Sequence, residues 1–358
     1  MLKNFEPLTI SDIRKETNDC VSIAFDIPAA VKNNFQFTQG QHLTLKTKIN
    51  GEEIRRSYSI CSSPFDNEIR VAIKKVPNGI FSTYANEQLR KGNIIEVMPP
   101  SGKFFTPLDA AATKQYIAFA AGSGITPIFS IIKTTLLTEP NSSFTLVYGN
   151  KNRHSIIFKE ALEALKNRFM GRLSIVYILS REKTDASIHF GRIDAEKCEA
   201  LCKLLIDPKK AAATFLCGPE TMIFDVKNVL QKIGVDEKNI HFELFAASKV
   251  KKNVADIGVK LNNTVQSNVT VKQDGISFDF NVPFEGESIL EAALKSGADL
   301  PFACKGGVCC TCKAKLIEGE VDMDVHYGLE QEEIEHGFIL TCQSHPRTEK
   351  IVIDFDSK

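Results

Sequence analysis

Apolar and polar positions change rhythm twice along this 358-residue chain and divide it into three blocks. Residues 1–107 alternate in short period-two runs, clearest in His42-Leu43-Thr44-Leu45-Lys46-Thr47. The Asn50-Gly51 turn follows, then Arg55 to Cys61 and Ile69 to Val76. This pattern predicts a small antiparallel β-barrel, interrupted by one helix from Ser82 to Leu89 that is entered through Gly79, and the block closes at Pro99-Pro100-Ser101-Gly102.

From residue 113 to 245 apolar strands (Tyr116–Ala120, Phe144–Tyr148, Leu173–Leu179, Thr214–Cys217) alternate with helical segments (Ile128–Leu137, Lys159–Arg168, Ala195–Leu205, Met222–Ile233). Strand and helix in turn predict a parallel, doubly wound α/β sheet. Residues 246–262 lose periodicity and carry Lys249, Lys251 and Lys252, which reads as a linker that lets the last domain move. In the block 263–358, Val269-Thr270-Val271, the Asp274-Gly275 turn and Ile276–Phe280 predict a hairpin. A helix over Ser288–Ser296 with Gly297 as its C-cap and a final strand Ile351–Phe355 complete an α+β, β-grasp domain.

Composition removes several function classes. Basic and acidic residues balance at 44 each, so no global field draws the chain to nucleic acid or an anionic membrane. The start MLKNFEPLTI lacks a signal peptide's pattern and no apolar run approaches membrane-spanning length, which predicts a cytoplasmic protein.

The ten cysteines are informative by spacing. Cys304, Cys309, Cys312 and the later Cys342 reproduce the C-x4-C-x2-C…C pattern of plant-type 2Fe-2S ferredoxins, in which four thiolates hold two irons. Gly306 and Gly307 let the loop between them wrap closely and aim amides at sulfur. A structural zinc site usually takes C-x2-C pairs, and no histidine lies at ligand spacing from this loop. The other cysteines show no disulfide framework. Cys198 and Cys202 read as packing thiols on one helix, and Cys310 as a bystander between ligands.

Two further motifs carry chemistry. In Arg56-Ser57-Tyr58-Ser59 an aromatic face at Tyr58 suits an isoalloxazine, and the Ser59 hydroxyl suits flavin N5. Arg56, with the amides of the Gly79–Ser82 helix start, suits the flavin's phosphates. In Gly122-Ser123-Gly124-Ile125-Thr126-Pro127, directly after a strand, Thr126 is expected as N-cap and Pro127 as the first helical residue. Gly122 and Gly124 then allow a pyrophosphate close to the backbone. No acidic residue stands about 20 positions on to take a ribose, as the NAD fingerprint requires. Ser180 and Arg181, at a strand end, suit a 2′-phosphate and favour NADPH over NADH. Cys217-Gly218-Pro219 places a small side chain and a tight turn where a nicotinamide meets a flavin, with Phe245 expected to cover the ring.

In order and spacing these motifs resemble the ferredoxin-NADP reductase superfamily with a fused ferredoxin domain. Over essentially its full length the chain is similar to the reductase subunits of bacterial ring-1,2-phenylacetyl-CoA epoxidases, notably in GQHLTLK, RRSYSIC, AAGSGITP, FLCGPETM and CKGGVCCTCKAK. That resemblance implies FAD, NADPH and one 2Fe-2S cluster, with a di-iron oxygenase as protein partner. It carries over Arg56, Tyr58 and Ser59 as FAD contacts and the four cysteines as cluster ligands. Ser57 and Cys310 depart from the family pattern without removing a functional group.

A nicotinamide gives two electrons together and a 2Fe-2S cluster takes one, so the flavin's place is between them and the protein's task is positional. No histidine is needed; His42, expected on a solvated strand, is the one nearest the flavin edge. Eight acids between Leu316 and His336, with no lysine or arginine among them, form either a docking face or a solubilising one. The alternatives to an epoxidase reductase are the reductase of another multicomponent oxygenase and a non-catalytic redox sensor.

Overall fold

The computed structural model describes residues 5–245 and 266–357, so the expected linker lies outside the described residues. Those residues fall into two compact units, one running to Leu244 and one from Phe245.

The first unit opens with six strands, β1 (Glu6–Thr17), β2 (Cys20–Asp26), β3 (His42–Ile49), β4 (Glu52–Ser59), β5 (Ile69–Lys74) and β6 (Ile94–Val97), with helix α1 (Ile80–Glu87) between the last two. They form an antiparallel sheet in the order β4-β3-β6-β1-β2-β5. A bridge from Ile60 to Val71 joins its two edges and closes the barrel. Alternation does the sorting: Leu43 and Leu45 point inward with Leu8, Ile10, Ile23 and Val71, and Phe81 of α1 plugs the same core. β2 is buried on both faces, because Cys20 on its outer side packs with Cys61 and Ala72 into the neighbouring α/β core.

Five parallel strands follow, β7 (Gln115–Ala121), β8 (Ser143–Asn150), β9 (Leu173–Leu179), β10 (Ala213–Cys217) and β11 (Ile240–Glu243), in the order β11-β10-β7-β8-β9. Helices α2 (Ile125–Thr138), α3 (Lys159–Arg168), α4 (Ala195–Leu204) and α5 (Glu220–Lys232) connect them. The chain starts at a central strand and winds first one way and then the other, which opens a crevice between the carboxyl ends of β7 and β10. The side of α2 is bolted to the barrel: Ser130 Oγ donates to Ser62 O at 2.6 Å, and Ser63 Oγ meets Thr134 Oγ1 at 2.9 Å.

The second unit holds β12 (Gln266–Gln273), β13 (Ile276–Pro283), α6 (Ile289–Lys295), β14 (Lys313–Glu318), β15 (Val321–Met323), α7 (Gln331–Glu335), β16 (Phe338–Leu340), β17 (Ser344–Pro346) and β18 (Lys350–Asp354). Its mixed sheet runs β13-β12-β18-β14-β16, with β12 and β18 parallel, and α6 packs on it through Ile289, Leu290 and Ala293. Ser288 caps α6 by accepting from the Glu291 amide. No helix among the described residues is long and apolar enough to cross a membrane.

Candidate active site

Three expected site segments converge at the crevice between β7 and β10. Gly124 is pressed against the end of β10 so closely that a Cβ there would stand 2.0 Å from the Cys217 carbonyl oxygen. Only a residue without a side chain permits the approach. Gly122 bends the chain at φ +55°, and its carbonyl accepts a 3.0 Å hydrogen bond from the buried Tyr148 hydroxyl. A short 3-10 turn at Gly122–Gly124 precedes α2, so Gly124 is the N-cap. Thr126 is therefore already inside the helix, and its hydroxyl donates back to Ser123 O at 3.0 Å. The expected N-cap role of Thr126, with Pro127 as first helical residue, is corrected: the helix begins earlier because the tight turn itself supplies the entry.

On the barrel side, strand alternation puts Arg56 and Tyr58 on one face of β4 and Ser57 and Ser59 on the other. Arg56 is exposed, with no carboxylate partner among the described residues, and so is open to an anion. Tyr58 rests its ring 5.5 Å from Phe81, and burial pushes its phenol up, so it presents a neutral aromatic face. Ser57 turns instead to Thr44, 3.3 Å between hydroxyls, which separates it from the Arg56–Tyr58 face. Ser82 lies under its own turn, donating to Gly79 O at 3.3 Å and accepting from the Val76 amide at 3.2 Å; it shapes the loop rather than facing outward. A Cβ on Gly79 would sit 2.3 Å from Ser82 Oγ, so the glycine is required by that turn.

Ser59 Oγ donates to Glu243 Oε2 at 2.8 Å and ties the barrel to the last strand of the parallel sheet. Glu243 pairs in register with Cys217. Burial pushes the Glu243 carboxyl up to about 7, against the Ser59 hydrogen bond that pulls it down. Burial, with Glu243 adding to it, holds the Cys217 thiol well above its ordinary range, so it stands there as a small neutral group and not as a thiolate. Ser59, Cys217 and Glu243 thus bring a donor, an apolar contact and a carboxyl that titrates near neutrality to one place. In the sequence Glu243 stands at the end of a block, within the motif Glu243-Leu244-Phe245 that shares in the family resemblance, with no role of its own assigned.

A second residue that sequence reasoning missed is Lys74, at the end of β5. Its ammonium lies 3.8 Å from where a Gly122 Cβ would be, a cation beside the tight turn. Ser180 spends its hydroxyl on Asn150 O at 3.3 Å, whereas Arg181 is exposed with no carboxylate partner among the described residues. Gly218 lies against Met222 and Ala121, and Pro219 caps α5. Phe245 is exposed and groups with the second unit. His42 is buried and not solvated: Ser101 Oγ lies 3.3 Å from its Nε2, and Gly102 packs on the ring.

In the second unit the four expected ligands form a chain of neighbouring sulfurs. Cys309 Sγ lies 3.2 Å from Cys304 Sγ, and Cys342 is near enough to Cys304 and Cys312 for both to act on its thiol, which with burial is pushed up to about 12. Among the described residues no three such side chains converge as one metal ion requires. A two-iron cluster asks for a different arrangement, two thiolates to each iron, and the chain of sulfurs suits it. Lys305 at φ +50° and Gly307 at φ +70° wrap the loop, and the Gly306 amide donates to Cys304 Sγ at 3.3 Å. Gly307 and Gly328 are both needed for closure: a Cβ on either would come within 2.6 Å of a carbonyl oxygen. Cys310 is only partly buried.

The acidic stretch is less acidic in space than in sequence. Asp322 pairs with Arg347 at 2.5 Å, Asp324 with His345 at 3.1 Å, Glu318 with Lys350 at 2.9 Å and Glu333 with Lys313 at 2.8 Å. The partners come from before and after the segment, and Lys313, Arg347 and Lys350 bring positive charge that a local count does not see.

Comparison with known proteins agrees with this geometry. Models of an oxidoreductase FAD-binding domain, an oxidoreductase NAD-binding domain and a 2Fe-2S iron-sulfur cluster binding domain match residues 7–106, 119–228 and 271–347. The chain is 44% identical to a subunit of the 1,2-phenylacetyl-CoA epoxidase of Escherichia coli (strain K12), over all of this chain and 99% of the relative. It is 31% identical to the ferredoxin reductase component of a 3-ketosteroid-9-alpha-monooxygenase from Rhodococcus rhodochrous, over 97% and 96% of the two chains. Among solved structures, phthalate dioxygenase reductase matches with TM-score 0.59 and 25% identity over 98% of both chains. The fold and site therefore define an NAD(P)H-dependent flavin and iron-sulfur oxidoreductase. The chain belongs to the ferredoxin-NADP reductase-like electron-transfer proteins with a fused 2Fe-2S domain, the family that includes this 1,2-phenylacetyl-CoA epoxidase component.

Proposed function

We propose that this chain takes electrons from NADPH and delivers them, through FAD and a 2Fe-2S cluster, to the di-iron oxygenase component of a phenylacetyl-CoA epoxidase. The full-length 44% identity to a subunit of that enzyme supports the choice of partner. Bound FAD would supply the exchange between two-electron and one-electron transfer, and a 2Fe-2S cluster held by Cys304, Cys309, Cys312 and Cys342 would supply one-electron carriage. The chain's own residues position and exclude. Tyr58 offers its neutral face, and Arg56 with the α1 amide end holds phosphate. Gly122 and Gly124 let the dinucleotide reach the crevice, with Lys74 against its pyrophosphate. Cys217 and Gly218 leave room for the nicotinamide, and Ser59, held by Glu243, presents its hydroxyl at the flavin edge.

The observation that carries this reading is the contact of Gly124 with Cys217 beside the Ser59–Glu243 pair, which brings the nucleotide crevice to the flavin strand. Preference for NADPH rests on Arg181, an exposed guanidinium suited to a 2′-phosphate. Two assays test the proposal: cytochrome reduction with NADPH and NADH, and NADPH-driven turnover of phenylacetyl-CoA with the purified oxygenase component. Dye reduction without any oxygenase turnover would remove the partner, and equal kcat/KM for both nucleotides would remove the NADPH preference.

A further inference from the structure

The turns that leave β8 and β9 are stitched together beside Arg181. The Asn150 carbonyl accepts from the Ser180 amide at 2.9 Å, and the Lys151 carbonyl accepts from the Arg181 amide at 2.8 Å. The next residue, Glu182, is the first carboxylate beyond the end of β9, its Cα about 3.8 Å from that of Arg181. Both of its oxygens are engaged by one residue of the facing turn: Oε2 accepts from the Arg153 amide at 2.9 Å, and Oε1 is ion-paired with Arg153 Nε. Asn152 fixes that turn, its Oδ1 accepting from the His154 and Ser155 amides at 3.1 Å each. The Arg153 amide and guanidinium hold the Glu182 carboxyl below the usual carboxylate range, so it is an anion neutralised where it stands. In nucleotide-binding sheets a carboxylate at a strand end accepts from the ribose hydroxyls of NADH and disfavours the extra phosphate of NADPH. Charges act over about 8 Å at physiological ionic strength, so an unpaired Glu182 would oppose a 2′-phosphate drawn to Arg181.

We infer that Arg153 is a positioning residue for nucleotide preference: by engaging both oxygens of Glu182 it removes a carboxylate that would otherwise turn the site toward NADH. This rests on the reading of Arg181 as the 2′-phosphate ligand. Arg153 acts through Glu182 and makes no contact of its own with the nucleotide. Arg153→Ala keeps the backbone amide that anchors Oε2 and deletes only the charge, so the turn is retained while the carboxylate is set free. Glu182→Gln keeps the acceptor that faces Arg153 and deletes the charge on the other side.

The test uses the FAD-loaded full chain as wild type, Arg153→Ala, Glu182→Gln and the double variant. Dye reduction gives kcat/KM for NADPH and NADH, and calorimetric titration gives Kd for adenosine 2′,5′-bisphosphate and for 5′-AMP. In Arg153→Ala the NADPH to NADH ratio of kcat/KM should fall about tenfold, and the bisphosphate should weaken by the same factor while 5′-AMP holds its affinity. Glu182→Gln should keep the wild-type ratio or exceed it. The double variant should return to the wild-type ratio, because the carboxylate that Arg153 neutralises is gone. A double variant as impaired as Arg153→Ala would mean that Arg153 meets the phosphate directly, and it overturns the inference. So does an unchanged ratio in Arg153→Ala, or an equal loss for both nucleotides. Wild type with no preference, together with an Arg181→Ala variant whose ratio does not move, would overturn the 2′-phosphate reading instead.

Discussion

Ser59 and Glu243, 184 residues apart in sequence, meet through a 2.8 Å hydrogen bond that joins the flavin-binding barrel to the last strand of the nucleotide-binding sheet. Burial raises the Glu243 carboxyl from 4.5 to about 7, so folding favours its protonated form. The sign follows: this contribution is fully present below the ordinary carboxyl range and is lost as pH rises through about 7. The loss amounts to up to about 3 kcal/mol. Glu243→Gln should remove that slope, matching wild type in acid and exceeding its stability at alkaline pH. Denaturant unfolding of the flavin-loaded protein across this range checks it; parallel stability profiles would exclude the shift. Ser59→Ala, which deletes the stabilising donor, should move the transition to still higher pH.

Gly122 and Gly124 are two positions apart but should respond differently to a methyl group. At Gly124 an alanine Cβ would overlap the Cys217 carbonyl oxygen at 2.0 Å, so α2 must shift off β10. A destabilisation of about 3 kcal/mol and loss of hydride transfer are expected. At Gly122 the space is open and only φ +55° opposes a side chain, at about 1 kcal/mol. Thermal unfolding of the two variants compares them directly. Equal losses would mean that close packing at the crevice is not what the second glycine provides.

Much of this architecture is legible from local pattern, and the failures have identifiable causes. The cysteine loop and the α3 and β9 boundaries need only neighbouring residues, and they stand where spacing and periodicity put them. The β1–β2 hairpin escaped because β2 is buried on both faces, which erases the period-two signal. β11 escaped because it spans only four residues, Ile240–Glu243. The Thr126 misreading arose where a tight turn substitutes for a side-chain cap. Ser59–Glu243, Lys74 beside Gly122, and the buried His42 all depend on segments brought together by topology, which no window along the chain contains.

Nucleotide preference should depend on Arg181. Its guanidinium is exposed at the end of β9 and faces no carboxylate among the described residues, whereas Ser180 is already committed to the Asn150 carbonyl. Arg181→Ala should lower kcat/KM for NADPH by about tenfold to a hundredfold and leave NADH nearly unchanged. Ser180→Ala should have a smaller effect on NADPH. Steady-state rates with a dye acceptor decide this, and an equal loss for both nucleotides would place Arg181 outside the 2′-phosphate site.

Electron delivery to the partner should depend only weakly on salt. Of the eight acids between Leu316 and His336, Asp322, Asp324, Glu318 and Glu333 each face a basic side chain from elsewhere in the domain. The remaining four, Glu320, Glu330, Glu332 and Glu335, are exposed or partly so, and their mutual field is screened within about 8 Å at physiological ionic strength. A fully unpaired acidic face steering a basic partner would lose rate steeply as salt rises. Here reduction of the oxygenase should fall only about twofold to threefold between roughly 50 and 300 mM salt. The double variant Glu332→Gln/Glu335→Gln should flatten even that remaining dependence, while Arg347→Gln, which frees Asp322, should steepen it. A tenfold fall in wild type would show that the acids steer docking despite their partners, and stopped-flow mixing at graded ionic strength measures it.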